Sequence, residues 1–275
     1  MNSKHTPLDT KNIKLLPWAE KYRPSTISGV LYHDKITNSI VNYMSKGKLP
    51  HLLFYGPPGC GKTSLILAIA KHYYGEDFEN LTIVLNASEE RGIETVRTTI
   101  IKFAETIGLS QNTNVPPFKL IILDEIDAMT DDAQAILRKV IEKYVSNVRF
   151  CFICNYLKKI NPAIQSRCVI FRFNPIPKDN MYSFIDKVCI NENINITKNA
   201  IELVIKRSNG DMRKLLNILQ SLYMHNNFGL SDVSNTDNDS NYSNESNKKF
   251  NKFNSISEKS VSKMLSCPTK KNIKD

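Results

Sequence analysis

No stretch of the sequence is apolar for long enough to cross a membrane, and the N-terminal "MNSKHTPLDTKNIK" lacks the apolar h-region of a secretory signal. The expected compartment is therefore a reducing one, in which the six cysteines read as free thiols rather than bridges. Zinc-site spacing is missing too. Cys151 and Cys154 form a C-x-x-C, but they lie inside the apolar run "RFCFIC" with no second pair to complete a tetrahedral set, which points to a core strand. There is no basic arm or tail either. The formal charge of +10 divides as +3 over residues 1–24, +3 over 25–175, +2 over 176–230 and +2 over 231–275, so any contact with nucleic acid has to be gathered by the fold or by assembly. What remains is a chain of 275 residues, 41% apolar, with ordinary globular composition and room for two domains.

One turn is distinctive. "HLLFYGPPGCGKTSLILAIA", residues 51–70, sets an apolar run, a glycine-rich turn and a second apolar run in succession. The loop Gly56, Pro57, Pro58, Gly59, Cys60, Gly61, with Lys62, Thr63 and Ser64 opening the next helix, fits G-x-x-x-x-G-K-[ST]. In that arrangement backbone N–H groups and the positive end of the helix cradle phosphates, the lysine reaches the β/γ oxygens, and the hydroxyl ligates Mg²⁺. The alternative is a surface turn that happens to hold a lysine. "LLFY" reads as a buried strand and "SLILAIAKHYY" as an inside helix, which is the context the phosphate reading requires.

Strand patterns fall at about 52–55, 81–86, 120–124, 148–154 and 168–173, and helical patterns at about 62–74, 93–108, 131–144 and 161–166. Nearly continuous apolar strands separated by helices predict an α/β fold with a five-stranded parallel sheet covered on both faces. Its ligands should collect at the carboxyl ends of the strands, where Gly56, Asp124 and Asn155 all fall. From "FNPIPKDN" the texture changes to helices at about 178–191, 197–208 and 211–224, a small helical domain. The expected organisation is a polar leader at 1–14, a phosphate-binding α/β domain at 15–174, the helical domain at 175–228, a disordered insertion at 229–257 and the start of a C-terminal region at 258–275. Disorder is expected because 14 of the 27 residues at 231–257 are Asn or Ser, leaving too few apolar groups to offset the entropy of ordering.

"KLIILDEID" ends an apolar strand with Asp124 and Glu125. The first carboxylate suits Mg²⁺ held through water, and the second can orient or deprotonate an attacking water; the plain alternative is two charges at a solvent edge. Asn155, the first polar residue after "RFCFIC", is placed to hydrogen-bond the same water or the γ-phosphate, or is simply a strand-end turn residue. Arg167 in "QSRC" could stabilise charge on a nucleotide held by a neighbour, although an isolated arginine is most often a solvated one. Arg213 in "NGDMRKLLNILQ" could bring the second domain over the nucleotide, or serve as a capping or surface residue.

Taken in order, "WAEKYRP" (18–24), "GPPGCGKT" (56–63), "NASEERGI" (86–93), "LDEID" (123–127), "CNY" (154–156), "SRC" (166–168) and "GDMRKLLN" (210–217) resemble the motifs of the AAA+ clamp-loader small subunits, the replication factor C family, and most of all its small subunit 3/5 group. The resemblance spans about residues 15–225. It implies an AAA+ P-loop NTPase that binds and hydrolyses ATP with Mg²⁺. By it Lys62 and Thr63 hold phosphate and metal, Asp124 and Glu125 form Walker B, and Asn155 and Arg213 are the two sensors. Tyr22, Arg23 and Pro24 close over the adenine, and Arg167 is the finger that acts on ATP of the adjacent subunit. It also implies four partner subunits, one large and three small, a sliding clamp, primer-template DNA, no membrane and a nuclear setting. Arg91 would lie near the DNA-facing surface and Phe103 and Ile107 on the helix turned to the clamp, though Phe103 and Ile107 fit an ordinary apolar stripe equally well. Two other classes stay open: a structural subunit that binds ATP without needing to turn it over, and a related helicase or branch-migration motor. The sequence departs from the family at Cys60, usually Thr, at Ile126, usually Ala, and in the Asn-rich insertion. The helical collar that joins five subunits is expected to be absent or truncated.

Overall fold

The computed structural model describes residues 16–88, 93–106, 115–227 and 256–264. In chain order the elements are α1 (Trp18–Lys21), α2 (Asp34–Ser45), β1 (His51–Tyr55), α3 (Lys62–Tyr74), α4 (Phe78–Leu81), β2 (Thr82–Asn86), α5 (Ile93–Glu105), β3 (Lys119–Asp124), α6 (Asp131–Lys143), β4 (Val148–Cys154), α7 (Pro162–Gln165) and β5 (Cys168–Arg172). They are followed by α8 (Lys178–Glu192), α9 (Lys198–Ser208), α10 (Met212–Asn227) and α11 (Glu258–Met264). The chain divides into two compact units, one made of Arg23–Ile176 and the other of Met1–Tyr22 with Pro177–Asp275.

The first unit is the α/β one. Its five strands are all parallel in the order β2-β3-β4-β1-β5. Period-two alternation sorts the side chains: Leu52, Phe54, Leu120, Ile122, Cys151 and Ile153 enter one core, and Leu53, Ile121, Leu123, Phe150, Phe152 and Cys154 the other. Both faces are therefore covered, which is why these strands read as unbroken apolar runs. The same alternation puts Cys151 and Cys154 on opposite faces, so they cannot share a metal. Burial pushes the Cys154 thiol up to about 12, with Asp127 adding to it, and burial likewise raises Cys151, so both stay inert thiols.

Insertion of β4 between β1 and β3 fixes the site. Strands are spaced by about 4.8 Å, so the turn after β4 emerges between the glycine loop after β1 and the carboxylates after β3. Helix α3 starts from Gly61 and is buried on several sides, with Leu65, Ile66, Ala68, Ile69 and Ala70 all at or below 1% exposure. Helix α6 is capped by Thr130, whose hydroxyl accepts from Ala133 N, and carries Asp131 and Asp132 in its first turn, where carboxylates favour the helix dipole.

The helical unit packs α8, α9 and α10 around Met181, Ile185, Val188, Val204, Leu215 and Leu219. Asn193 and Asn209 close α8 and α9 in left-handed conformations, and the Thr197 hydroxyl caps the start of α9. Two boundaries differ from the sequence expectation. The segment through Tyr22, expected with the ATPase domain, belongs to the helical unit because Trp18 is buried to 5% exposure, lies 5.3 Å from the Tyr223 ring, and donates its backbone N–H to Gln220 Oε1 at 3.0 Å. Residues 256–257, expected to be disordered, are ordered: Ile256 is 2% exposed and exchanges backbone bonds with Asn195 O (2.8 Å) and Thr197 N (3.1 Å), and α11 follows with Val261 fully buried. An apolar residue at the end of a polar tract has found a partner edge and a core. The rest of the expected insertion, 229–255, lies outside the described residues, as do the leader 1–14 and residues 265–275. Among the described residues no helix is long and apolar enough to cross a membrane.

Candidate active site

The glycine loop is shaped by two different constraints. At Gly56 the exit of β5 passes so near that a Cβ would meet Phe173 O at 2.2 Å, and Phe173 N bonds Tyr55 O at 2.8 Å alongside it. Only glycine fits there. At Gly61 the constraint is conformational: φ is 92°, and no atom lies within 4 Å of where a Cβ would be, so the backbone turns into α3 with its outer side open. From below, the loop is braced by His33, 5% exposed, which donates from Nε2 to Cys60 O at 3.1 Å and packs on Phe173 at 4.5 Å. Burial lowers its pKa and favours the neutral ring. Cys60 is buried and its thiol donates to Pro57 O at 2.9 Å, a bond within the loop that a hydroxyl could also make.

Lys62 and Thr63 join the loop to the neighbouring strands. The Lys62 ammonium donates to Gly56 O (2.8 Å), Pro57 O (2.8 Å) and Asn155 Oδ1 (3.0 Å). Thr63 Oγ1 donates to Asp124 Oδ2 at 2.6 Å, and the other oxygen of Asp124 accepts from Glu125 N at 2.9 Å. Asn155 is itself held by Asp127, whose Oδ2 accepts from the N–H groups of Asn155 and Tyr156, each at 3.2 Å. Glu125 is exposed and sits at φ 56°, ψ 36°, the left-handed region that a glutamate avoids. Such a conformation costs about 1–3 kcal/mol.

The side chains of Lys62 and Asn155 and of Thr63 and Asp124 are thus joined in pairs, and Glu125 follows Asp124 with its own side chain exposed. Sequence reasoning missed His33 and Asp127, which brace the site without facing it. Asp127 stood in view as the last letter of "LDEID", but nothing local said that it would turn back to hold the next strand's exit.

The donor set fits Mg²⁺ and a polyphosphate. A hard cation takes oxygen ligands, and Thr63 Oγ1 with Asp124 Oδ2 form an oxygen pair 2.6 Å apart at the N-terminus of α3. Among the described residues no cluster of three or more His, Cys, Asp or Glu offers an all-protein metal cage. Ser64 follows in the first turn of α3, where N–H groups point at an anion.

Arg167 lies just past α7, with its guanidinium between Ala163 O and Glu142. Pro24 packs under Gly29 and opens the α/β unit together with Arg23. Tyr22 belongs to the helical unit, where its hydroxyl donates to Glu192, its ring stands edge-on to Phe184, and Lys21 pairs with the same Glu192 at 2.5 Å. Burial and that carboxylate raise the Tyr22 pKa. Arg213 is exposed in the first turn of α10, whose cap is supplied by Asp211, accepting from Lys214 N at 3.1 Å. A cation at this end opposes the helix dipole, so neither capping nor dipole accounts for it. Phe103 is partly buried against the core with the Lys119 ammonium 4.8 Å from its ring centre. Arg91 and Ile107 lie outside the described residues.

Two family models match: the ATPase family associated with various cellular activities (AAA) over residues 52–176, and the RCF1/5-like, AAA+ ATPase lid domain over residues 183–224. The chain is 51% identical over 208 residues to replication factor C subunit 3 of Schizosaccharomyces pombe, covering 76% of this chain and 60% of that protein. It is 47% identical over 225 residues to replication factor C subunit 5 of Homo sapiens, covering 82% of this chain and 65% of that one. The chain thus spans about three fifths of the length of the curated relatives it matches. Among solved structures, the Thermotoga maritima RuvB Holliday junction branch migration motor aligns with a TM-score of 0.56 over 74% of this chain and 65% of its own, at 17% identity, a likeness of fold alone.

Proposed function

Because the chain belongs to the AAA+ ATPases, in the replication factor C subunit family, we propose that it binds and hydrolyses ATP as one subunit of a five-subunit clamp loader. That assembly, with one large and three other small subunits, would open a sliding clamp and place it on primer-template DNA in the nucleus. The observation that carries the reading is the network joining three strand ends: Lys62 to Asn155 and Thr63 to Asp124, across the β1-β4-β3 order.

In this reading the open backbone of the Gly56–Gly61 loop and the N-terminus of α3 receive the β- and γ-phosphates. Lys62 exchanges its carbonyl partners for phosphate oxygens, a stronger charge-assisted bond. Thr63 and Asp124 would hold Mg²⁺, Asp124 through water, and the ion when bound would neutralise charge developing on the phosphates. Glu125, exposed next to Asp124, orients the attacking water and takes its proton. Asn155, fixed by Asp127 and released from Lys62, offers its amide to the same water or to the γ-phosphate. From the family resemblance we carry over, as proposed roles, Tyr22, Arg23 and Pro24 for the adenine, Arg213 for the phosphates and Arg91 for DNA.

Arg167 serves the ATP of the adjacent subunit. Arginine fingers contribute about 10³–10⁵ in rate, or roughly 4–7 kcal/mol of transition-state stabilisation. The test pairs Arg167→Ala with a wild-type subunit whose ATP site faces it. Its expected outcome is normal ATP binding by the variant and a loss of that size in the partner's turnover. Loss confined to the variant's own site would mean that Arg167 acts in cis. An assembly that loads clamps at full rate with Glu125→Gln in this subunit would leave it a structural, ATP-binding member.

A further inference from the structure

Arg167 and Glu142 meet at the surface of the α/β unit, with side chains 32% and 42% exposed. At such a place a long arginine ordinarily samples many rotamers, and an ion pair adds little to stability. This one is tied at several points. Its NH1 donates to Ala163 O at 2.6 Å, with Ser166 Oγ at 3.5 Å, and its NH2 donates to Glu142 Oε1 at 2.5 Å. The same Glu142 oxygen accepts from Arg138 Nε at 3.1 Å, one turn earlier on α6. Helix α6 therefore contributes a carboxylate clamped by its own arginine and turned to the end of α7. Arg138 foremost, and then Arg167, hold the Glu142 carboxyl below the usual carboxylate range, so it stays charged.

On the reading that Arg167 reaches a nucleotide held by a neighbouring subunit, we propose that Glu142 is the positioning residue of that finger, with Arg138 as its support. The carboxylate and the Ala163 carbonyl each take one N–H from a terminal nitrogen, and a planar guanidinium carries further donors. The group is fixed in direction while a donating edge remains for phosphate oxygens. The advantage is pre-organisation: a finger already oriented loses little rotamer freedom when the neighbour's γ-phosphate arrives. The opposite role for the same contact is a holster that keeps the arginine from the phosphate, and the two predict opposite signs.

The experiment uses the assembly in which a wild-type subunit presents its ATP site to this chain, and measures that subunit's kcat and KM. Glu142→Ala should lower the partner's kcat by about tenfold to a hundredfold, the size of loss a misplaced group produces, with KM little changed. Glu142→Gln, which keeps an oxygen acceptor, should recover most of it, and Arg138→Ala should reproduce a fraction of the loss. Thermal unfolding and the chain's own ATP affinity should stay as in the wild type, which a merely structural role would not permit. If Arg167→Ala slows the partner while Glu142→Ala leaves it unchanged or speeds it, the positioning role falls and the trans finger stands. If Arg167→Ala itself leaves the partner at full rate, the trans finger falls and the positioning role with it.

Discussion

Lys62 and Lys119 are 7% and 5% exposed, and each gives its ammonium to two backbone carbonyls and a side-chain oxygen, yet they stand at opposite ends of the same parallel sheet. Lys119 opens β3 and reaches Phe103 O at 2.8 Å, Thr106 O, and Thr106 Oγ1 at 2.8 Å, in the last turn of α5 and just beyond it. Carbonyls there lack intrahelical partners, and the dipole favours a cation, so the lysine completes the helix. Lys62 does the reverse. It begins α3, where the dipole disfavours a cation, and its carbonyl partners belong to its own loop, whose rim at Pro57 and Pro58 is exposed. A buried ammonium by itself thus says little about function. The informative feature is whether the backbone around it wants a positive charge or is arranged to receive a negative one.

The same contrast runs across the two ends. His51 and Arg149, at the amino ends of β1 and β4, are spent on backbone: His51 Nδ1 accepts from Phe150 N at 3.1 Å, and Arg149 donates to Leu49 O (2.6 Å), Val145 O (2.5 Å) and Val148 O (2.9 Å). At the carboxyl ends, side chains bond other side chains, Thr63 to Asp124 and Lys62 to Asn155. Such bonds can be exchanged for ligand contacts without unpairing a strand or a helix.

The largest expected effect separates the two lysines. Lys62→Ala should weaken ATP binding by about a hundredfold or more, since it deletes charge-assisted bonds each worth about 1.5–3 kcal/mol. Its effect on folding should be small, because water can reach the loop rim. Equal affinity in a nucleotide titration would end the comparison. Next in size, Lys119→Met should cost about 3 kcal/mol of stability by leaving carbonyls of the α5 terminus unpaired, read as a lower denaturant midpoint with ATP affinity preserved.

The smallest effect belongs to His51. Burial, reinforced by Arg149, lowers its pKa to about 4, while an unfolded histidine titrates near about 6.5. Between those values the unfolded state binds more protons, so stability falls as pH drops through that window. His51→Asn, whose Oδ1 can accept the Phe150 N–H, should lose less stability than the wild type between roughly pH 7 and pH 5, by about 2 kcal/mol. Parallel pH profiles of variant and wild type would place the titrating group elsewhere.

Legibility in the sequence followed the same division. The five strands and α3, α5, α6, α7, α8, α9 and α10 were readable because burial on two faces or one leaves apolar runs or stripes, and the residues proposed for the nucleotide were readable because phosphate chemistry demands particular types at fixed spacing. Strand order was not, so nothing local announced that Asn155 would stand between Lys62 and Asp124. Pairings across long separations were hidden as well: Trp18 with Gln220, Tyr22 with Glu192 and Ile256 with Asn195 join segments whose local patterns are weak or polar. The left-handed Glu125 is another such feature, since "LDEID" contains no glycine to mark it.

Thermal unfolding with and without MgATP, run on the wild type, Lys62→Ala and Lys119→Met together, tests most directly whether the carboxyl end of the sheet is the nucleotide site. A ligand at about a hundred times its Kd stabilises the folded state by about 2.7 kcal/mol. The wild type should show that upward shift, Lys119→Met should show the same shift from a lower starting midpoint, and Lys62→Ala should show almost none from a nearly normal one. A full shift in Lys62→Ala, or a shift lost in Lys119→Met and kept in Lys62→Ala, would contradict the assignment.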